Sequence, residues 1–148
     1  MNLKKILSTD CILPDLKADS KNGVIEEMIT GLSAAGKISA HDAVLNAVLA
    51  REAKMSTGMQ NGIAIPHAKT DDVSQLVAAI GIHRAGVDFQ SMDKKPAHIF
   101  IMTLSPETRT GPHIQFLAEI SKLLCKPDLR EKLLQAQTAD EILNLLTA

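Results

Sequence analysis

The sequence predicts an α/β fold in three layers, a mixed β-sheet with helices on both faces. Two dense apolar runs, Leu76–His83 and Ile99–Leu104, read as central strands of the kind that is buried on both sides. Amphipathic helical patterns stand both before and after these runs, so each face of the sheet has helices available to cover it. No internal repeat and no linker-like stretch divides the chain, and the 148 residues read as one domain, 1–148.

The elements follow in order. Cys11-Ile12-Leu13 is a short strand stopped by Pro14. Asp19 or Ser20 caps a helix whose Val24, Ile25, Met28, Ile29 and Leu32 keep helical spacing, and Gly36 ends it. Ser39 with Asp42 resembles a capping box opening a second helix, with Val44, Leu45, Ala47, Val48 and Leu49 inward and its end near Arg51 and Glu52. Ile63–Ile65 is a short strand candidate. The two central strands are joined through Ala85-Gly86 and a polar turn, and Pro106 stops the second. Three helices complete the chain: about Pro112 to Leu124, one after Pro127 with Leu129, Leu133 and Leu134, and one from Thr138, whose Glu141 completes a capping box.

Composition narrows the function. A formal charge of -1 argues against a dedicated nucleic-acid or membrane-surface binder, and 45% hydrophobic residues suffice for a core. No Trp or Tyr and three Phe leave no aromatic platform for stacking bases or sugars. The N-terminal apolar stretch is too short for a signal sequence and no segment reaches the length of a membrane span, so a soluble, cytoplasmic protein is expected. Cys11 and Cys125 lack metal or redox spacing and are expected to be reduced, buried thiols.

The segment Ser56–Thr70 presents His67 behind Pro66 and after an Asn61-Gly62 turn, so the backbone largely sets the ring direction. A neutral imidazole with one nitrogen outward is a competent nucleophile for phosphoryl or acyl transfer. Arg51, at a helix end ahead of this loop, suits bidentate pairing with phosphate oxygens or a partner's carboxylate. His113 follows Gly111-Pro112 at a helix start, where free N–H groups and the dipole attract an anion and are expected to lower its pKa. Ser56, Thr57, Gly58, Asn61 and Gly62 form a loop rich in N–H groups and hydroxyls that suits an oxyanion or a phosphate.

Each residue also has a plainer reading. Pro66-His67 alone is compatible with a structured turn, Arg51 with a basic residue complementing its helix dipole, and His113 with a solvated first-turn position. His41, His83 and His98 have no partner at metal-ligand spacing, and no metal site is expected; a zinc site from His67, His98 and His113 is arithmetically possible but lacks the HxxxH or clustered Cys/His spacing that would make it specific. GxGxxG after a strand, GxxxxGK[ST], GxSxG and CxxC are absent, so nucleotide binding, serine hydrolysis and dithiol redox chemistry all lack their signatures.

The run Arg51-Glu52, Ser56-Thr57-Gly58 and Asn61-Gly62-Ile63-Ala64-Ile65-Pro66-His67 resembles the active-site signature of the fructose/mannitol/nitrogen-regulatory class of IIA proteins. These belong to the bacterial phosphoenolpyruvate-dependent phosphotransferase system. The resemblance covers essentially the whole chain, including the His113-Ile114-Gln115-x-Leu117 helix start. It implies that His67 accepts a phosphoryl group, that Arg51 steadies that group and the approaching partner, and that His113 is the second active-site histidine. It also implies an HPr-like phosphocarrier as donor, a IIB cysteine or regulatory targets downstream, and no cofactor. Met55 and Met59 are expected at the partner surface. Gly111-Pro112, and His98 where the regulatory branch commonly has an acidic residue, leave sugar relay and nitrogen-type regulation both open. A non-catalytic anion-binding or regulatory interaction module of the same fold is the remaining alternative.

Overall fold

A computed structural model describes residues 2–148. Short elements lead the chain: helix α1 (Leu3–Ile6), a 3-10 turn (Thr9–Cys11) and strand β1 (Ile12–Leu13). Helices α2 (Lys21–Ala34) and α3 (His41–Lys54) precede strands β2 (Ile63–Ala64), β3 (His67–Lys69), β4 (Val77–Val87) and β5 (Ala97–Ser105). Helices α4 (Gly111–Leu124), α5 (Pro127–Gln135) and α6 (Ala139–Thr147) finish it.

The sheet is mixed, as expected. β4 and β5 pair antiparallel at its centre, β1 runs parallel to β4, and β2 and β3 both run parallel to β5. β2 and β3 therefore form one interrupted edge, with Ile63 opposite Ile99 and His67 opposite Thr103. The interruption has a local cause: Pro66 has no N–H for the ladder, and the Ile65 N–H turns outward to the Thr57 carbonyl at 3.1 Å.

Side-chain alternation along β5 divides the core in two. Phe100, Met102 and Leu104 pack with the apolar stripes of α2 and α3, including Val24, Ile25, Met28, Ile29, Leu32, Val44 and Val48. Ile99 and Ile101 join Ile80, Ile82 and the inward faces of α4, α5 and α6. With helices on both sides, β4 and β5 carry little polar alternation, which is why their sequence reads as continuous apolar runs.

Helix ends explain most boundaries. The Ser20 hydroxyl accepts from the Gly23 N–H at 3.1 Å, and the Thr138 hydroxyl from the Glu141 N–H at 3.2 Å. The expected box at Ser39 and Asp42 does not form. Ala40 occupies the N-cap position, and the Asp42 carboxylate instead lies 2.8 Å from Nδ1 of His41, whose Nε2 meets the Thr30 hydroxyl. Cys11 also departs from expectation, ending the 3-10 turn and not starting a strand. It is buried, and burial pushes its thiol pKa up. Cys125 is free as expected but exposed, because it caps the C-terminus of α4 beyond the last inward position, Leu124. Among the described residues no helix is long and apolar enough to cross a membrane.

Candidate functional site

His67 opens β3 and is half-buried. Its Nδ1 lies 2.9 Å from the Ile65 carbonyl, which accepts only, so Nδ1 carries the proton in a neutral ring and Nε2 keeps its lone pair. The backbone that supplies this carbonyl is fixed twice over. Ile65 donates to the Thr57 carbonyl, and the Pro66 carbonyl accepts from the Thr103 N–H at 3.2 Å.

His113 lies in the first turn of α4, with its ring centroid 5.7 Å from that of His67. It is buried, not solvated, and its Nε2 is 3.0 Å from the Thr103 hydroxyl. Burial is the main reason its pKa falls below the ordinary histidine value, with the neighbouring His67 and Lys69 adding to the effect. The direction agrees with the dipole argument from sequence; the leading cause is burial.

Arg51 sits in the last turn of α3, which packs against β3. Its Nη1 donates to the Met55 carbonyl at 2.9 Å, covering a helix-end acceptor and leaving the other guanidinium donors uncommitted to that bond. The next residue, Glu52, is 5% exposed although it is a carboxylate at the negative end of a helix dipole. It is retained by specific partners. The Thr57 N–H reaches Glu52 Oε2 at 2.7 Å, the Thr57 hydroxyl reaches Oε1, and Lys21 Nζ pairs with Oε2 at 2.7 Å. Lys21 also lies 4.9 Å from the Phe89 ring centroid. This network joins the start of α2, the end of α3 and the loop that anchors Ile65. Sequence reading named Glu52 only as part of a motif; the clue to its role was an acidic residue where the dipole disfavours one.

The other loop residues are engaged locally. Ser56 donates its hydroxyl to the Phe89 carbonyl at 2.6 Å and accepts from the Gly58 N–H at 3.0 Å. With the Thr57 N–H held by Glu52, the N–H groups of Thr57 and Gly58 both have partners. Gly58 is required by close packing, since a Cβ there would sit 2.8 Å from the Ser91 backbone. Asn61 and Gly62 have φ of 63° and 73°, and the Ile63 N–H bonds back to the Gln60 carbonyl at 3.4 Å, as in a type I′ turn. That turn lies beside the Ile99 end of β5, roughly 13 Å at strand spacing from the Thr103 position facing His67. The structure thus brings His67 and His113 together, sets the helix bearing Arg51 against β3, and places Asn61 and Gly62 at the far end of the same edge.

Exposed apolar side chains lie next to site residues: Met55 at 71% after α3, Ile114 at 66% beside His113, Met92, whose N–H bonds to the Gly58 carbonyl at 3.0 Å, and Met59 before the Asn61-Gly62 turn. Ile114 and Met92 were not expected from sequence. Among the described residues no cluster of His, Cys, Asp or Glu is arranged to hold a metal ion.

The chain is similar to known proteins over almost its whole length. The model of the family described as "Phosphoenolpyruvate-dependent sugar phosphotransferase system, EIIA 2" matches residues 5–148. The chain is 40% identical over 127 residues to the fructose-specific EIIA component of Haloferax volcanii, covering 86% of this chain and 82% of that protein. It is 37% identical over 146 residues to the fructose-specific EIIABC component of Bacillus subtilis, covering 99% of this chain but spanning 23% of that longer protein. The crystal structure of nitrogen regulatory protein IIA-Ntr from Neisseria meningitidis superposes with a TM-score of 0.89 at 32% identity, covering 98% of this chain and 99% of that one. The chain belongs to the EIIA 2 family of the phosphoenolpyruvate-dependent sugar phosphotransferase system.

Proposed function

We propose that this protein is a cytoplasmic phosphocarrier that takes a phosphoryl group from a phosphohistidine of an HPr-like protein onto Nε2 of His67. The observation that carries this reading is the bond between His67 Nδ1 and the Ile65 carbonyl, which leaves the attacking lone pair on Nε2. In the transfer, the Nε2 lone pair forms the new N–P bond while the N–P bond of the donor breaks. The electron pair of the broken bond stays on the donor nitrogen, which enters protonated at its other ring position and leaves as neutral imidazole. The Nδ1 proton of His67 remains in place, and its bond to Ile65 strengthens as the phosphorylated ring takes on positive charge.

Catalysis in such a step is chiefly positioning and charge stabilisation. Arg51 contributes by turning free guanidinium donors to the phosphoryl oxygens or to a carboxylate of the partner, and His113 contributes from the adjacent ring. Ser56, Thr57, Gly58, Asn61 and Gly62 serve by holding the loop in shape. Met55, Met59, Met92 and Ile114 give the partner an adaptable apolar surface. The onward acceptor is a cysteine of a IIB component in fructose-like sugar uptake, the relay favoured by the fructose-specific relatives.

The test is transfer of 32P from phosphorylated HPr. Wild-type protein acquires label and passes it to a cognate IIB domain, while His67→Ala acquires none. Labelling of the alanine variant would remove His67 from the reaction. Stable label that no IIB domain removes would favour regulation by phosphorylation state.

A further inference from the structure

We infer that Thr103 is a positioning residue that fixes His113 as a neutral imidazole with its proton on Nδ1, so that His113 serves the phosphoryl group on His67 as an N–H donor and not as an imidazolium. The inference deepens the proposed phosphocarrier role and rests on His67 as acceptor. Thr103 occupies a singular place between the histidines. Its backbone is the β-ladder partner of His67 and donates to the Pro66 carbonyl, while its hydroxyl meets Nε2 of His113. One residue on a buried central strand thus sets the spacing of both imidazoles.

Hydrogen-bond accounting gives the tautomer. Thr103 has no exposed surface, and among the described residues its hydroxyl is bonded to His113 Nε2 alone. If Nε2 carried the proton, it would donate to this oxygen and leave the buried hydroxyl hydrogen without an acceptor, which costs on the order of 1–3 kcal/mol. Donation from the hydroxyl to an unprotonated Nε2 satisfies both groups with one bond. The proton of a neutral ring then sits on Nδ1. That nitrogen has no protein partner among the described residues, yet the one sealed and unpartnered polar side-chain atom among them is the Ser105 hydroxyl, so Nδ1 reaches solvent. With the ring centroids 5.7 Å apart, this open N–H is the donor assigned to a phosphoryl oxygen on His67. A charged His113 would need protons on both nitrogens and would strand the threonine hydrogen, and burial with His67 and Lys69 nearby opposes it further.

The experiment combines ring 15N NMR with single-turnover phosphoryl transfer on the full chain. In wild-type protein near neutral pH, His113 Nε2 should resonate as an unprotonated nitrogen and Nδ1 as a protonated one. Thr103→Val, which keeps the side-chain shape, should lose this preference and accept phosphoryl groups about tenfold more slowly, the scale of one positioning hydrogen bond. Thr103→Ser keeps the hydroxyl and should restore both tautomer and rate, which a purely structural role would not require. A wild-type His113 that is doubly protonated, or protonated at Nε2, would overturn the inference even if the valine variant failed to fold. So would a folded valine variant with unchanged rate. Failure of the underlying reading shows separately, as wild-type protein that accepts no phosphoryl group while its His113 spectrum is as expected.

Discussion

Two polar clusters hold His67 from opposite faces of the sheet, and they do so by different physics. On the α2–α3 side, Lys21, Glu52 and Thr57 form a buried charged network that grips backbone and never touches the imidazoles. On the α4 side, Thr103 and His113 form a single contact beside a mostly apolar layer and act on a ring directly. The difference separates a charged network that shapes the loop from a contact that acts on the ring beside His67. On the proposed role of His67, the ion pair stabilises the loop at a distance, while an uncharged His113 ring supplies a donor without competing for the lone pair.

The sharpest way to break this contrast is to strip the charged network. Glu52→Ala leaves the half-buried Lys21 with only the Phe89 carbonyl and the Gln90 side chain as partners and frees Thr57, so unfolding free energy from urea titration should fall by about 3 kcal/mol. The double change Lys21→Met with Glu52→Leu removes both charges and should recover a large part of that loss. If the single variant were as stable as wild type, the network would be an ornament of the surface. Gly58→Ala should follow, at about 1–3 kcal/mol, because its Cβ meets the Ser91 backbone. The same denaturation series would show a loss near zero if the loop had room.

The neutral cluster gives a smaller and pH-dependent effect. His113 has a pKa lowered on folding, so the native state binds fewer protons than the unfolded chain as the pH falls below the ordinary histidine value. Its contribution to stability is therefore present at pH 7.5 or so and lost as the pH falls through the folded pKa. Urea titrations at about pH 7.5 and about pH 5 should show a drop in wild-type protein that is reduced in His113→Gln. An equal drop in both would assign the pH dependence to other groups. Smallest of all should be Arg51→Lys, with stability within about 0.5 kcal/mol of wild type and slower transfer, since a surface helix-end bond is lost along with the planar fork.

Much of this was legible in residues whose chemistry is local. Asn61-Gly62 demanded a turn with positive φ and the apolar runs of β4 and β5 demanded burial on both sides, whereas the strand expected over Ile63–Ile65 ends at Ala64. What escaped was set by distant partners or by brevity. α1 and β3 are too short to show a period, and a threonine within a strand looks like any strand former until His113 is found against it. Ser56, Thr57 and Gly58 read as free donors because sequence does not show that Glu52 and Ser56 already hold the N–H groups of Thr57 and Gly58. Cys125 read as buried because its neighbours are apolar, and the helix turned it outward.

The most direct test of the central claim is combined 31P and ring 15N NMR of the protein after phosphorylation by its donor. One acid-labile phosphoryl group should be found bonded to Nε2 of His67, with the proton kept on Nδ1. Phosphorus on Nδ1, on another residue, or on no residue would contradict it.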